Sequence, residues 1–234
     1  MNKVYAYDVS SNNFRVFQSP DEWKQQMTCE GARNYLVYHL LESLENEFFP
    51  AIEAFHEDSY RTGVGKGFFS LLRMIFPAIT FLGTLYKRTD TSTNAISFMR
   101  DYMGQVNKKY KHISDLIYNV YRHGLMHSYM PKVLEIDKKF VGWEITYNDD
   151  NHLRISKSKN DVKISLSPNR FFQDLLKALV RYISDFDDPK KKEQLLKNFT
   201  EGFMIMSEVL NESDLLKRRC RTGLQYLKSI RRNF

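Results

Sequence analysis

A mainly helical bundle, with one small antiparallel β insertion before its fourth core helix and extra helices toward its C-terminal end, is the fold class this sequence predicts. Three observations carry it. Gly and Pro number only 10 and 6 among 234 residues, too few for a disordered chain or a turn-rich all-β fold. Apolar residues recur at spacings of three and four through most of the chain. Between about 133 and 166 the spacing drops to two, the period of strands. The length allows one domain, or one domain with a substantial appendage, and is ample for a hydrophobic core.

Taken in order, residues 1–18 alternate loosely through Val4, Ala6, Val9, Phe14 and Val16 and predict a short extended or paired piece. Ser19-Pro20-Asp21-Glu22 reads as an N-cap, with Pro at the first helical position and Glu22 completing a capping box. The first long helix begins near Gly31, carries Leu36, Leu40, Leu44 and Phe48 at helical spacing, and is expected to end at Pro50, with a further helical stretch through Tyr60. Thr62 to Gly67 is a connector. Its GVGKG string lacks the spacing, the following Ser or Thr and the preceding strand of a phosphate-binding loop.

Phe68 to Tyr86 is apolar over about the length a bilayer needs. A central arginine costs about 2.5–3.5 kcal/mol in a membrane, so Arg73 and Pro77 predict a buried core helix kinked at the proline. Helices follow from Asn94 and over His112 to about Tyr129, which Pro131 ends. The β region comes next, with turn signals at Asn148 to Asn151 and Ser158 to Asp161, and predicts an antiparallel meander of three or four strands. Ser167-Pro168 caps a helix carrying Phe171, Phe172, Leu175, Leu176, Leu179 and Ile183. Helical pattern resumes over Lys190 to Val209 and from Leu215 onward.

The net charge of +7 is unevenly placed: Lys217, Arg218, Arg219, Arg221, Lys228, Arg231 and Arg232 follow Asp214, and no Asp or Glu does. These seven account for the whole excess, so a neutral body carries a basic C-terminal segment suited to a polyanion such as RNA. Arg218, Arg221, Lys228 and Arg232 are its candidate RNA-binding residues, beside a narrow apolar stripe of Leu216, Cys220, Leu224, Leu227 and Ile230. A membrane-surface role calls for a broader apolar face than that stripe. Cys29 and Cys220 have no CxxC partner and the opening residues form no leader, so a reducing cytoplasm is expected, with both thiols as small apolar groups.

The chemistry concentrates in YRHGLMHSYMPK, residues 121–132. His127 titrates near neutrality and can move a proton, while the Arg122 guanidinium can steady phosphate charge. His123 and His127, four apart, share a helix face, but Arg122 and His127, five apart, differ by about 140° on a regular helix. They converge only through the long arginine, a distorted helix, or a second copy of the chain. The His123 and His127 pair has metal-ligand spacing, yet the Glu of an HExxH site is absent and Gly124 stands in its place, so no metal is expected.

Arg122-His123-Gly124-Leu125-Met126-His127 resembles the R-x(4–6)-H motif of the HEPN superfamily, whose second position is typically Asn, Asp or His. The resemblance covers about Gly31 to Asp187, with residues 1–20 as an N-terminal extension, the β insertion at about 133–166, and 190–234 as a C-terminal helical appendage. It implies an up-and-down helical bundle that dimerises across the motif-bearing helices and cleaves RNA without metal or other cofactor. His127 would be the proton-transfer group, Arg122 the phosphate-stabilising cation, and His123 an orienting group. The expectation is therefore a cytoplasmic, homodimeric endoribonuclease of toxin or host-defence type, with RNA and an antitoxin or other protein as partners and no membrane. The alternative is a noncatalytic RNA-binding or protein-assembly module of the same fold.

Overall fold

The computed structural model describes residues 3–62, 68–89, 91–122, 124–125, 131–158, 161–207, 209 and 221–231, and the side chains among these except Tyr60, Phe68, Arg221 and Arg231. Helix dominates, with a two-stranded and a four-stranded sheet. The chain divides into two units, Met27–Ile205 and a smaller one of Met1–Gln26 with Met206–Phe234.

In the smaller unit the alternating N-terminal residues pair as an antiparallel hairpin, β1 (Val4–Asp8) with β2 (Asn13–Phe17). Its turn is held by Asp8, which accepts from the Ser10 and Ser11 hydroxyls and from Arg15. Those hydrogen bonds, the Ser10 hydroxyl first, hold the buried Asp8 carboxyl down at about 2. Helix α1 (Pro20–Gln26) starts as its cap signal predicts. Ser19 accepts from the Glu22 amide at 3.2 Å, and the Glu22 carboxylate accepts from the Gln18 amide at 2.8 Å. The buried Trp23 ties the helix to the hairpin by donating to the Tyr7 carbonyl at 2.8 Å. The Tyr5 amide bonds the Ser207 carbonyl, so the later part of the chain runs along β1.

In the larger unit α2 (Cys29–Tyr35) is capped by Thr28, which accepts from the Gly31 amide at 3.0 Å. It runs on through π-helical turns at Leu36–Leu41 and Leu44–Phe48 into α3 (Phe49–Thr62). Pro50 therefore does not end the helix, contrary to expectation. The wide turn before it, in which the Phe49 amide reaches back to the Leu44 carbonyl, passes the proline without the tight i−4 carbonyl contact that would break a regular helix.

Helix α4 (Phe68–Lys87) holds Pro77 inside it and buries Leu72, Phe76, Ile79 and Leu82. By length and composition Phe69–Lys87 is one helix that could cross a membrane, and half of it is buried within this protein. It packs on α5 (Ser92–Phe98), which continues through a π-helical turn at Met99–Met103 into α6 (Gly104–Val106). Two glycines allow the close approach: a Cβ on Gly83 would meet the Ala95 backbone, and one on Gly202 the Thr84 carbonyl. Helix α7 (Tyr110–Ile117) extends by a π-helical turn, Tyr118–Arg122. After the sheet come α8 (Pro168–Ser184), capped by Ser167 as predicted, and α9 (Lys192–Met206). Edge-on contacts among Tyr86, Phe98, Tyr102, Tyr182 and Phe186 knit α4, α5 and α8 together, each adding about 0.5–1.5 kcal/mol beyond area burial. Helix α10 (Arg221–Arg231) belongs to the smaller unit.

The insertion has four strands, β3 (Leu134–Ile136), β4 (Lys139–Ile145), β5 (Ile155–Lys157) and β6 (Asp161–Leu166), in the order β3-β4-β6-β5. It is not the antiparallel meander expected from the spacing, because the central pair, β4 with β6, is parallel. The reason lies in the loop 146–154. Its Asp149 is held by Ser167 and Asn169 at the start of α8, and the Leu153 amide bonds the Ser165 carbonyl. The chain therefore wraps around the end of β6 before β5 forms, where a hairpin would have turned back on β4. The buried Leu153 takes the bend at φ 56°, a left-handed conformation that only such tight anchoring sustains.

Candidate functional site

The motif sits where α7 changes pitch. Tyr118–Arg122 forms a π-helical turn that ends on the motif's arginine and lies before the five-residue interval to His127. Arg122, half-buried, places its guanidinium 5.4 Å from the centre of the Tyr118 ring. The Tyr118 hydroxyl meets Thr80 of α4 at 3.3 Å. One residue earlier, the buried Tyr121 reaches the other way, its hydroxyl donating to the Glu144 carbonyl at 3.1 Å and the Ile164 carbonyl. Arg122 is thus fixed from both sides, by α4 through Tyr118 and by the two central strands through Tyr121.

Beyond Arg122, Gly124 and Leu125 are buried and helical, and the Lys132 amide donates to the Val120 carbonyl at 2.7 Å. Lys132 is thereby held against the turn that carries Arg122. His123 and His127 themselves lie outside the described residues. So do Arg218 and Arg232, while Arg221 opens α10 and Lys228 is exposed on it. Cys29 is half-buried, its thiol 3.8 Å from the Lys192 carbonyl, and Cys220 and Gly63 to Gly67 also fall outside the described residues.

A second cluster, absent from the sequence reading, occupies the opposite end of α7. The Ser167 amide donates to His152 Nδ1 at 3.2 Å, and since a backbone N–H can only donate, the neutral ring carries its proton on Nε2. Nε2 lies 2.8 Å from the Tyr110 hydroxyl, which in turn donates to Asp174 Oδ2 at 3.2 Å. Asp174 Oδ1 faces the Arg170 guanidinium at 3.2 Å. Burial, reinforced by the Arg170 charge, pulls His152 down to about 3 and so keeps it neutral. Burial raises Asp174, Arg170 opposing it, and burial then the Asp174 charge push Tyr110 far up.

The line from Ser167 through His152 and Tyr110 to Asp174 joins β6, the loop, α7 and α8. With His152 6 % exposed and Tyr110 and Asp174 fully buried, no substrate reaches it and its role is to position the helices. Twelve residues of helix separate Tyr110 from Arg122, roughly 17 Å along the axis, so the two ends are distinct places. Asp174 left one trace in the sequence: it stands on the apolar stripe of α8, between Phe171 and Leu175. His152 left none, because Asn148 to Asn151 beside it reads as an ordinary turn.

A cleft of about 360 Å³ opens elsewhere in the larger unit, among Tyr86, Asp101, Tyr102, Asp185, Lys190 and Lys191. Its polar groups largely satisfy one another: Tyr86 donates to Asp101, Tyr102 donates to Asp185, and Lys191 pairs with Asp185 at 2.8 Å. Among the described residues no group of three or more His, Cys, Asp or Glu is placed to hold a metal ion. Comparison with family models, curated proteins and solved structures finds no match to this chain.

Proposed function

We propose that the chain is a HEPN-like, metal-independent endoribonuclease that works as a homodimer, with Arg122 and His127 as its reacting pair. The observation that supports the reading is the π-helical turn ending at Arg122. It sets Arg122 half-exposed at the end of the helix, pinned on both sides by Tyr118 and Tyr121, where a second copy can bring its His127 to the cation.

In this reading the RNA 2'-hydroxyl attacks the adjacent phosphate, His127 takes or returns the proton, and the Arg122 fork holds the charge building on the phosphorane. The P–O5' bond breaks as the new ring closes. The products are a 2',3'-cyclic phosphate and a 5'-hydroxyl that takes up a proton. His123 orients the phosphate or His127. The twisted sheet that receives Tyr121 and the relay at Tyr110 serve the site by fixing α7 at both ends.

The test is incubation of purified chain and of His127→Ala with single-stranded RNA in excess chelator. Cleavage yielding cyclic phosphate ends in the parent and none in the variant is the expected result. Intact RNA in both lanes, or equal cleavage in both, overturns it.

A further inference from the structure

Helix α10 carries the two most exposed large apolar side chains among the described residues, Tyr226 at 67 % and Leu227 at 61 %. Leu224 and Ile230 beside them are half-buried. At about 100° per residue, positions 224, 227, 230 and 226 span an arc of roughly 160°. Gly223 and Arg231 also fall within that arc, positions 221 and 228 flank its Leu224 edge, and 222, 225 and 229 fill the polar side. This arc is broader than the narrow stripe the sequence reading drew, because Tyr226 widens it at the Ile230 edge. A membrane surface thus meets a wider apolar face than Leu224, Leu227 and Ile230 alone provide.

Three occupants are conceivable for such a face, and charge separates them. A second copy would bring another helix from the same segment, in which seven cations follow Asp214 and no anion does, against like charge. An RNA backbone would satisfy the cations and leave Leu227 and Ile230 in water. An anionic lipid surface satisfies both, with acyl chains for the aliphatic arc, headgroup phosphates for the basic flank, and the interface itself for an amphipathic ring such as Tyr226. We infer that α10 docks the protein, by its Tyr226, Leu227 and Ile230 face, on an anionic lipid surface.

The experiment is flotation of the full chain with phosphatidylcholine vesicles and with vesicles in which about a third of the lipid is phosphatidylglycerol. Binding only to the anionic vesicles is expected, weakened about tenfold or more by high salt and by Leu227→Asn. Leu227 is largely exposed, so the variant keeps its circular dichroism spectrum, and it keeps whatever RNA cleavage the parent has, which separates this inference from the ribonuclease reading. Absence of flotation, equal flotation with uncharged vesicles, or full flotation of Leu227→Asn overturns the inference. So does binding to single-stranded RNA that the variant retains while anionic vesicles capture neither protein.

Discussion

The two ends of α7 hold similar side chains in opposite conditions. At the Tyr110 end a histidine, a tyrosine and a carboxylate are sealed from water and joined in one directed line of hydrogen bonds. At the Arg122 end a cation lies half-buried over an aromatic ring, on a turn whose pitch has been changed. The difference teaches that residue type alone does not mark a site. A titratable group sealed in the core among its partners serves packing, while one with a face to solvent stays accessible to a ligand.

The sharpest way to break this comparison is to remove one buried partner. Asp174→Ala strips the buried Tyr110 hydroxyl of its acceptor and should cost about 1–3 kcal/mol in urea unfolding. A loss under 1 kcal/mol would mean that the sealed cluster positions nothing. Arg122→Ala should do the reverse. It lowers RNA cleavage by about a hundredfold or more, while unfolding shifts by no more than about 1 kcal/mol, the value of an accessible cation over a ring.

Acid separates the ends more gently. His152 takes its proton near 3 in the folded chain and near 6.5 in the unfolded chain, so below 6.5 the unfolded state binds the extra proton. The stability this histidine confers is complete above pH 6.5 and is lost as pH falls toward 3, with the raised Asp174 opposing the loss at the low end. Between pH 7 and 5.5 unfolding free energy should drop by about 1 kcal/mol, and His152→Gln should flatten that slope. The smallest effect belongs to the cap: Ser167→Ala should cost roughly 1 kcal/mol, measured by thermal unfolding.

Much of the helical framework was legible because its signals are local. Ser19-Pro20 and Ser167-Pro168 cap helices where the sequence places them, and the apolar run from Phe68 forms one helix, half of it buried. What escaped depends on partners distant in sequence. Pro50 passes inside a helix because a wide turn precedes it, which apolar spacing does not report. The parallel pairing of β4 and β6 follows from the hold that Ser167 and Asn169 have on Asp149, across about twenty residues of chain. His152 and Asp174 stand 22 residues apart and meet at Tyr110, with 3.6 Å between Nε2 and Oδ2. The motif at Arg122 is contiguous and so visible as a pattern, while the π-helical turn that precedes its arginine left no signal in the apolar spacing.

The central claim, a site completed between two copies of the chain, has one direct test. Arg122→Ala and His127→Ala, each inactive alone, are mixed, unfolded and refolded together, and RNA cleavage is then measured. If each site takes its arginine from one subunit and its histidine from the other, half the dimers regain one intact site and activity returns to about a quarter of the parent. If the mixture stays as inactive as its components while the parent cleaves, the site is built within a single chain and the shared-site account is wrong.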